Sequence, residues 1–265
     1  MLVFLFFSLK MHGTVFVLLC TFYAFGNAQN DWDYLMLSLR WPPTLCSFVE
    51  CTPIPEPIDF VIHGLWPTTL PDEEPMHCAP APPFDRDRLA ILLPQLNQFW
   101  PNLLPNTDAF QFWKHEWHDH GRCALEDPNI TDMVDYFNRS LQLRSKCDLL
   151  GQLTSVHVHP TNQMEYTYEH LIQVLHTIYG VRMKLYCLKR HHQTPHLFEV
   201  RICFNVNLDF IDCHDKQECG FSTDLVDTKS TCAATTRNLV GGGSAYSAMP
   251  CPSGPIIFPP LVNMD

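Results

Sequence analysis

Twelve cysteines in 265 residues constrain this chain more than any other feature. Where thiols are kept reduced, such residues serve metals or catalysis; in an oxidising compartment they become disulfide staples. The first 28 residues decide between these. Their one charge is Lys10, and apolar runs at Leu2–Phe7 and Val15–Phe25 lead to the small-residue cleavage site Gly26-Asn27-Ala28. Residues 1–28 therefore read as a secretory signal peptide, with Met11 an alternative start. A membrane anchor would need ~20 unbroken apolar residues, and Lys10, His12 and Gly13 interrupt the run. Cys20 would leave with the leader. The eleven remaining cysteines are an odd number, and spacing alone does not give their pairing.

Loss of Lys10 turns the formal charge from −11 into −12 over residues 29–265, a length that suits one domain. A chain so acidic cannot hold nucleic acid through a broad basic surface, so any such contact must be short and local. Asn129-Ile130-Thr131 and Asn138-Arg139-Ser140 are glycosylation acceptors, meaningful only on the secretory route. No later segment is long and apolar enough to span a bilayer, so no membrane partner is expected.

Titratable chemistry is densest at 112–123, which holds three histidines, two carboxylates and two tryptophans. On a helix, Phe110, Trp113 and Trp117 would face a core, while Glu116 and His120 share one polar face and His115 and Asp119 another. Gly121 is a natural stop. A metalloprotease-type zinc site needs its second histidine four residues after the first. That place is Asp119, and the histidines fall at plus three and plus five, so no metal is expected there. The pairs His157/His159 and His191/His192 lie in loops and are not assigned one either.

A second segment, Phe60-Val61-Ile62-His63-Gly64-Leu65-Trp66-Pro67, reads as a short apolar strand delivering a histidine. Together with Lys114-His115-Glu116-Trp117, His120-Gly121 and Cys123 further along, it resembles the two active-site segments of the ribonuclease T2 family. The resemblance runs from about Asp33 to Cys219. Phe198-Glu199-Val200-Arg201-Ile202-Cys203-Phe204 and Ile211-Asp212-Cys213 look like the family's plant S-ribonuclease and S-like branch. It implies an α+β fold, a central antiparallel sheet packed with several helices in one disulfide-bonded domain. It also implies a secreted endoribonuclease that cleaves single-stranded RNA through a 2′,3′-cyclic phosphate, with no cofactor, no DNA substrate and a monomeric chain. The role would be pollen recognition, or nutrition and defence.

By the same resemblance His120 is the base, His63 the acid, His115 a phosphate ligand and Glu116 a stabiliser of the transition state. Two departures stand out. Asp119 occupies the place where the family usually has Lys, and Arg40 the place where it usually has Gln. Both are candidate substrate contacts. Trp66 is another, although Trp66 and Trp117 read first as core. The Asp119 carboxylate motivates an alternative, a catalytically weakened member that binds, recognises or stores. The implied bridges are Cys46–Cys51, Cys78–Cys123, Cys187–Cys219 and Cys203–Cys213. Cys147, Cys232 and Cys251 fall outside that scheme, with Cys232–Cys251 the favoured pair and Cys147 free.

Periodicity supplies the remaining elements. Residues 33–43 predict a central strand and Leu70–Pro83 a proline-rich loop. Arg86–Phe99 predicts a helix weakened by Pro94. Ile130–Leu150 predicts a helix with Met133, Phe137, Leu141 and Leu143 inward, and Glu165–Tyr179 another, striped by Tyr168, Leu171, Ile172, Leu175 and Ile178 and ended by Gly180. His196–Phe204 alternates as a half-buried strand. Residues 220–255, before Ile257-Phe258-Pro259, read as an insertion or flexible tail.

Overall fold

The computed structural model describes residues 8–11, 14–17, 32–70, 72–78, 81–214 and 248–261. The chain forms two units, Met1–Asn30 and Asp31–Asp265. In the first, β1 (Ser8–Met11) and β2 (Thr14–Val17) pair antiparallel with Ser8 opposite Val17. This hairpin falls within the segment expected to be a leader.

The second unit is built on an antiparallel sheet. Its strands are β3 (Tyr34–Arg40), β4 (Val61–Thr68), β6 (Lys184–Leu188), β7 (His196–Phe204), β8 (Phe210–Ile211) and β9 (Met249–Pro250). They lie in the order β4-β3-β7-β6-β9, with β8 added to β7. A separate pair joins β5 (Tyr166–Thr167) to β10 (Pro255–Ile256). The helices are α1 (Pro42–Phe48), α2 (Leu93–Phe99), α3 (Ala109–Glu116), α4 (Met133–Cys147), α5 (Leu149–Ser155) and α6 (Tyr168–Tyr179).

The period of two in β3 separates the sheet's faces. Leu35, Leu37 and Leu39 join Ile62, Leu65, Val200, Ile202 and Phe204 in the main core, beneath Met133, Phe137, Leu141 and Leu143 of α4. Tyr34 and Met36 join Trp66 and Cys203 on the opposite face. That second face is covered as well. Glu199 is fully buried and Arg201 nearly so, so β7 is not the half-buried strand that alternation predicts. Its polar row is an interior network.

Proline and aspartate explain the broken helices. Asp87–Leu92 forms a 3-10 segment, and α2 starts afresh at Leu93 with Pro94 in its first turn, where a missing N–H costs nothing. The helix expected over 130–150 stops at Cys147, because Asp148 is left-handed (φ 36°) and α5 begins beyond it. Gly180 (φ 74°) closes α6 as predicted.

Bridges Cys46–Cys51, Cys78–Cys123 and Cys203–Cys213 are present. Cys187 does not pair with Cys219, nor Cys251 with Cys232. Cys187 bonds Cys251, because β9 runs beside β6 with Met249 opposite Cys187 and brings the two Cα atoms to 4.9 Å. Cys219 and Cys232 lie outside the described residues, and Cys147 is a buried free thiol, which burial pushes up to about 12. The stretch expected as a tail over 220–255 therefore rejoins the sheet by 248–255; its earlier part lies outside the described residues. Beyond it Phe258 is fully buried and Trp41 Nε1 donates to the Pro259 carbonyl (2.8 Å). The Ile-Phe-Pro ending is thus a core element.

Candidate active site

A bulge delivers His63. Register shifts at Ser38/Leu39, with Gly64 opposite Ser38 and Ile62 opposite Leu39, so His63 is the extra residue on β4. Ile62 and Leu65, three apart, can then both enter the core while His63 and Gly64 share the other face. Gly64 has no alternative there. A Cβ would stand 2.1 Å from Trp66 Nε1 and 2.2 Å from Glu116 Oε2.

Glu116 and His120 come from α3 and the turn after it. The Asp108–Gln111 capping box starts the helix. Its last turn widens into a π-helical turn over Trp117–Gly121, closed by Arg122 N–H to the Trp117 carbonyl (3.0 Å). Indoles tie this segment to β4: Trp113 Nε1 donates to the Trp100 carbonyl (2.8 Å), and Trp100 Nε1 to the His63 carbonyl (3.0 Å). The Cys78–Cys123 bridge fastens the far end.

The structure brings three expected groups around one indole. Trp66 lies 5.1 Å from the His63 ring and 5.4 Å from the His120 ring, centre to centre, and its Nε1 donates to Glu116 Oε2 (3.1 Å). His63 and His120 are buried to within 8% and 7% exposure. Trp66 is therefore more than core, whereas Trp117 is fully buried and donates to the Pro82 carbonyl. His115 is half-exposed, its Nδ1 3.1 Å from Asp119 Oδ2.

Sequence reasoning assigned no role to Glu199 or Arg201. Glu199 Oε1 lies 2.7 Å from His63 Nδ1 and 3.5 Å from Arg40 Nε; Oε2 accepts from Ser38 Oγ (3.0 Å) and Arg201 (3.2 Å). Arg201 also covers the rings of Tyr186 and Trp66, at 3.6 and 4.9 Å. The signal was the polar row of β7, which pairs Arg40 with Glu199 and Ser38 with Arg201 across the ladder.

Charge follows from this packing. Burial opposes ionisation of Glu199, but His63 and the two guanidinium groups hold its carboxyl well below the ordinary range. His63 is lowered to about 4 by burial first and Arg40 second, against the pull of Glu199. A third cation beside one carboxylate is one too many. With Glu199 ionised, Nδ1 of His63 carries the donated proton and the other ring nitrogen is left to exchange one. Glu116 moves the other way, raised to about 8 by burial against the Trp66 hydrogen bond. At acid pH it is a neutral acid that can donate to an anion.

The sequence profile of the Ribonuclease T2 family matches residues 32–213. Ribonuclease Oy of Magallana gigas is 30% identical over 71% of this chain and 90% of its own length; Ribonuclease 3 of Arabidopsis thaliana is 31% identical over 69% and 84%. Among solved structures, a mutant of ribonuclease MC1, the bitter gourd seed enzyme, in complex with 5′-GMP superposes with TM-score 0.61 at 31% identity, over 71% of this chain and 97% of that one. Animal and plant relatives stand at equal identity, so they single out no branch. The chain belongs to the ribonuclease T2 family of endoribonucleases.

Proposed function

We propose that the protein is secreted and cleaves single-stranded RNA by transesterification, with His120 and His63 as the acid–base pair. The observation that carries this is the burial of both histidines against Trp66, on two elements fixed by indole hydrogen bonds and a disulfide. His120 takes the 2′-hydroxyl proton, and the 2′ oxygen attacks phosphorus. The bond from phosphorus to the 5′ oxygen breaks, and His63 hands that oxygen its proton, leaving a 2′,3′-cyclic phosphate. Glu199 holds the His63 ring. His115 binds a phosphate oxygen, and neutral Glu116 donates to the transition state instead of repelling it. Unpaired bases suit a chain without a broad basic surface, because they can be splayed and stacked.

Four disulfides among the described residues, the leader-like residues 1–28 and the exposed acceptor Asn129 support secretion and glycosylation. The second acceptor, Asn138, is half-buried on α4. No helix among the described residues is long and apolar enough to cross a membrane. A weakened enzyme is a second reading, favoured by Asp119 holding His115. The strand text of β7 keeps the plant S-type role open beside nutrition and defence.

The test is cleavage of a dinucleotide by the mature protein in excess chelator. His63→Ala and His120→Ala should each lower the rate by ~100-fold or more. Wild-type activity in either variant would reject the assignment, and an inert wild type would favour the binding reading.

A further inference from the structure

We propose that His77, His118 and Asp119 form a site for one divalent transition cation of the zinc class, beside His115. The three side chains offer ligand atoms that all lie within 4.8 Å of one another. His77 Nδ1 stands 3.3 Å and His118 Nδ1 4.0 Å from the same oxygen, Asp119 Oδ1. An ion held at ~2.0–2.2 Å by each ligand needs donors roughly 3.3 Å apart. His77 and Asp119 already meet that spacing, and the half-exposed ring of His118 closes the rest by side-chain rotation.

The backbone under the cluster is fixed. The His77 N–H donates to the Asp119 carbonyl (3.1 Å), and the next residue, Cys78, is bonded to Cys123 beyond the π-turn. The outer oxygen is oriented too. Asp119 Oδ2 sits on His115 Nδ1 (3.1 Å), which leaves Oδ1 for the pair of imidazoles, an arrangement typical of groups that support a ligating carboxylate. Two imidazoles and one carboxylate suit zinc or copper, not magnesium or calcium, with water completing the tetrahedron. Exposed ion pairs alone would leave the convergence unexplained. Such pairs contribute little, and they do not require two segments 41 positions apart to aim at one oxygen.

The ion is no reactant in the cleavage. Its consequence rests on the ribonuclease reading: a carboxylate beside the phosphate ligand His115 becomes a net positive centre. RNA phosphate would then be attracted where Asp119 alone repels it.

The binding test does not depend on cleavage. Zinc titrated calorimetrically into the mature protein at neutral pH should bind at one equivalent with micromolar or tighter affinity, and cobalt should give a tetrahedral visible band. His77→Ala and His118→Ala, both at exposed side chains, should each weaken binding by ~10-fold or more. His157→Ala should not. Equal isotherms in all four proteins would place the ion elsewhere and overturn the site, as would absence of micromolar binding. A 2′-deoxy dinucleotide, which cannot be cleaved, should bind roughly 3–10-fold more tightly with zinc in wild type and not in His77→Ala. Unchanged or weaker binding in wild type would overturn the electrostatic consequence.

Discussion

Replacing Arg40 with Gln should move the titration of His63 upward by ~1 pH unit. His63 stands at about 4 instead of 6.5, with burial the largest cause and Arg40 the next. Removing the guanidinium leaves Glu199 facing His63 and Arg201, so a protonated His63 is no longer a surplus cation. Two unit charges ~5 Å apart at an effective dielectric of ~20 interact by roughly 3 kcal/mol, or ~2 pH units. Glu199, which contacts both groups, takes up part of that field and brings the expectation down to ~1. A group titrating at about 4 is ~10% protonated at pH 5, and one titrating near 5 is half protonated. The first assay is an NMR titration of the His63 ring in both proteins, which reads the effect without substrate. The second is the pH of fastest cleavage, which should also rise. A His63 titration that stays put or falls would refute the account of the buried network.

Glu116→Gln should flatten the dependence of stability on pH. Below pH 4.5 the carboxyl is protonated in both folded and unfolded chains; above it the unfolded chain ionises first, and stability drains until the folded carboxyl follows at about 8. Between pH 5 and 8 the wild type should lose ~2–4 kcal/mol more than the variant in urea denaturation, and parallel curves would show that Glu116 is not held neutral. Asp119→Lys, assayed with chelator so that no ion masks the change, should speed dinucleotide cleavage by ~5–30-fold, the equivalent of ~1–2 kcal/mol. Superimposable pH–rate profiles would show that the carboxylate does not reach the phosphate site.

Local pattern was enough for much of this. The strand at 196–204, the stripe on α4 and the glycine stop of α6 follow from periodicity and capping; the strand expected over 33–43 is present as Tyr34–Arg40, its last two residues instead opening α1. Both candidate active-site segments were legible, 112–123 by its density of histidine and tryptophan and 60–67 through its resemblance to the ribonuclease T2 family. Contacts distant in sequence were not. Nothing in the order of residues says that Glu199 accepts from His63 across 136 positions, and alternation made Glu199 and Arg201 look like a solvent face. The Cys187–Cys251 bond was hidden for the same reason, since it depends on β9 docking beside β6 after a long excursion. The bulge at His63 was invisible because it is a property of two strands together.

The widened turn at Trp117–Gly121 makes chain length, more than residue identity, the protected quantity of this segment. Substitutions there change one side chain, but deletion of a single residue would return the backbone to an ordinary helix. The residues inside the turn would then be reseated on a tighter spiral, changing how His120 meets Trp66. The far end cannot slip to compensate. Cys123 is bonded to Cys78, and a Cβ at Gly121 would stand 2.6 Å from Trp117 and 2.9 Å from Tyr136. Among descendants of this chain, insertions and deletions should therefore gather in the loops on either side and spare these five positions.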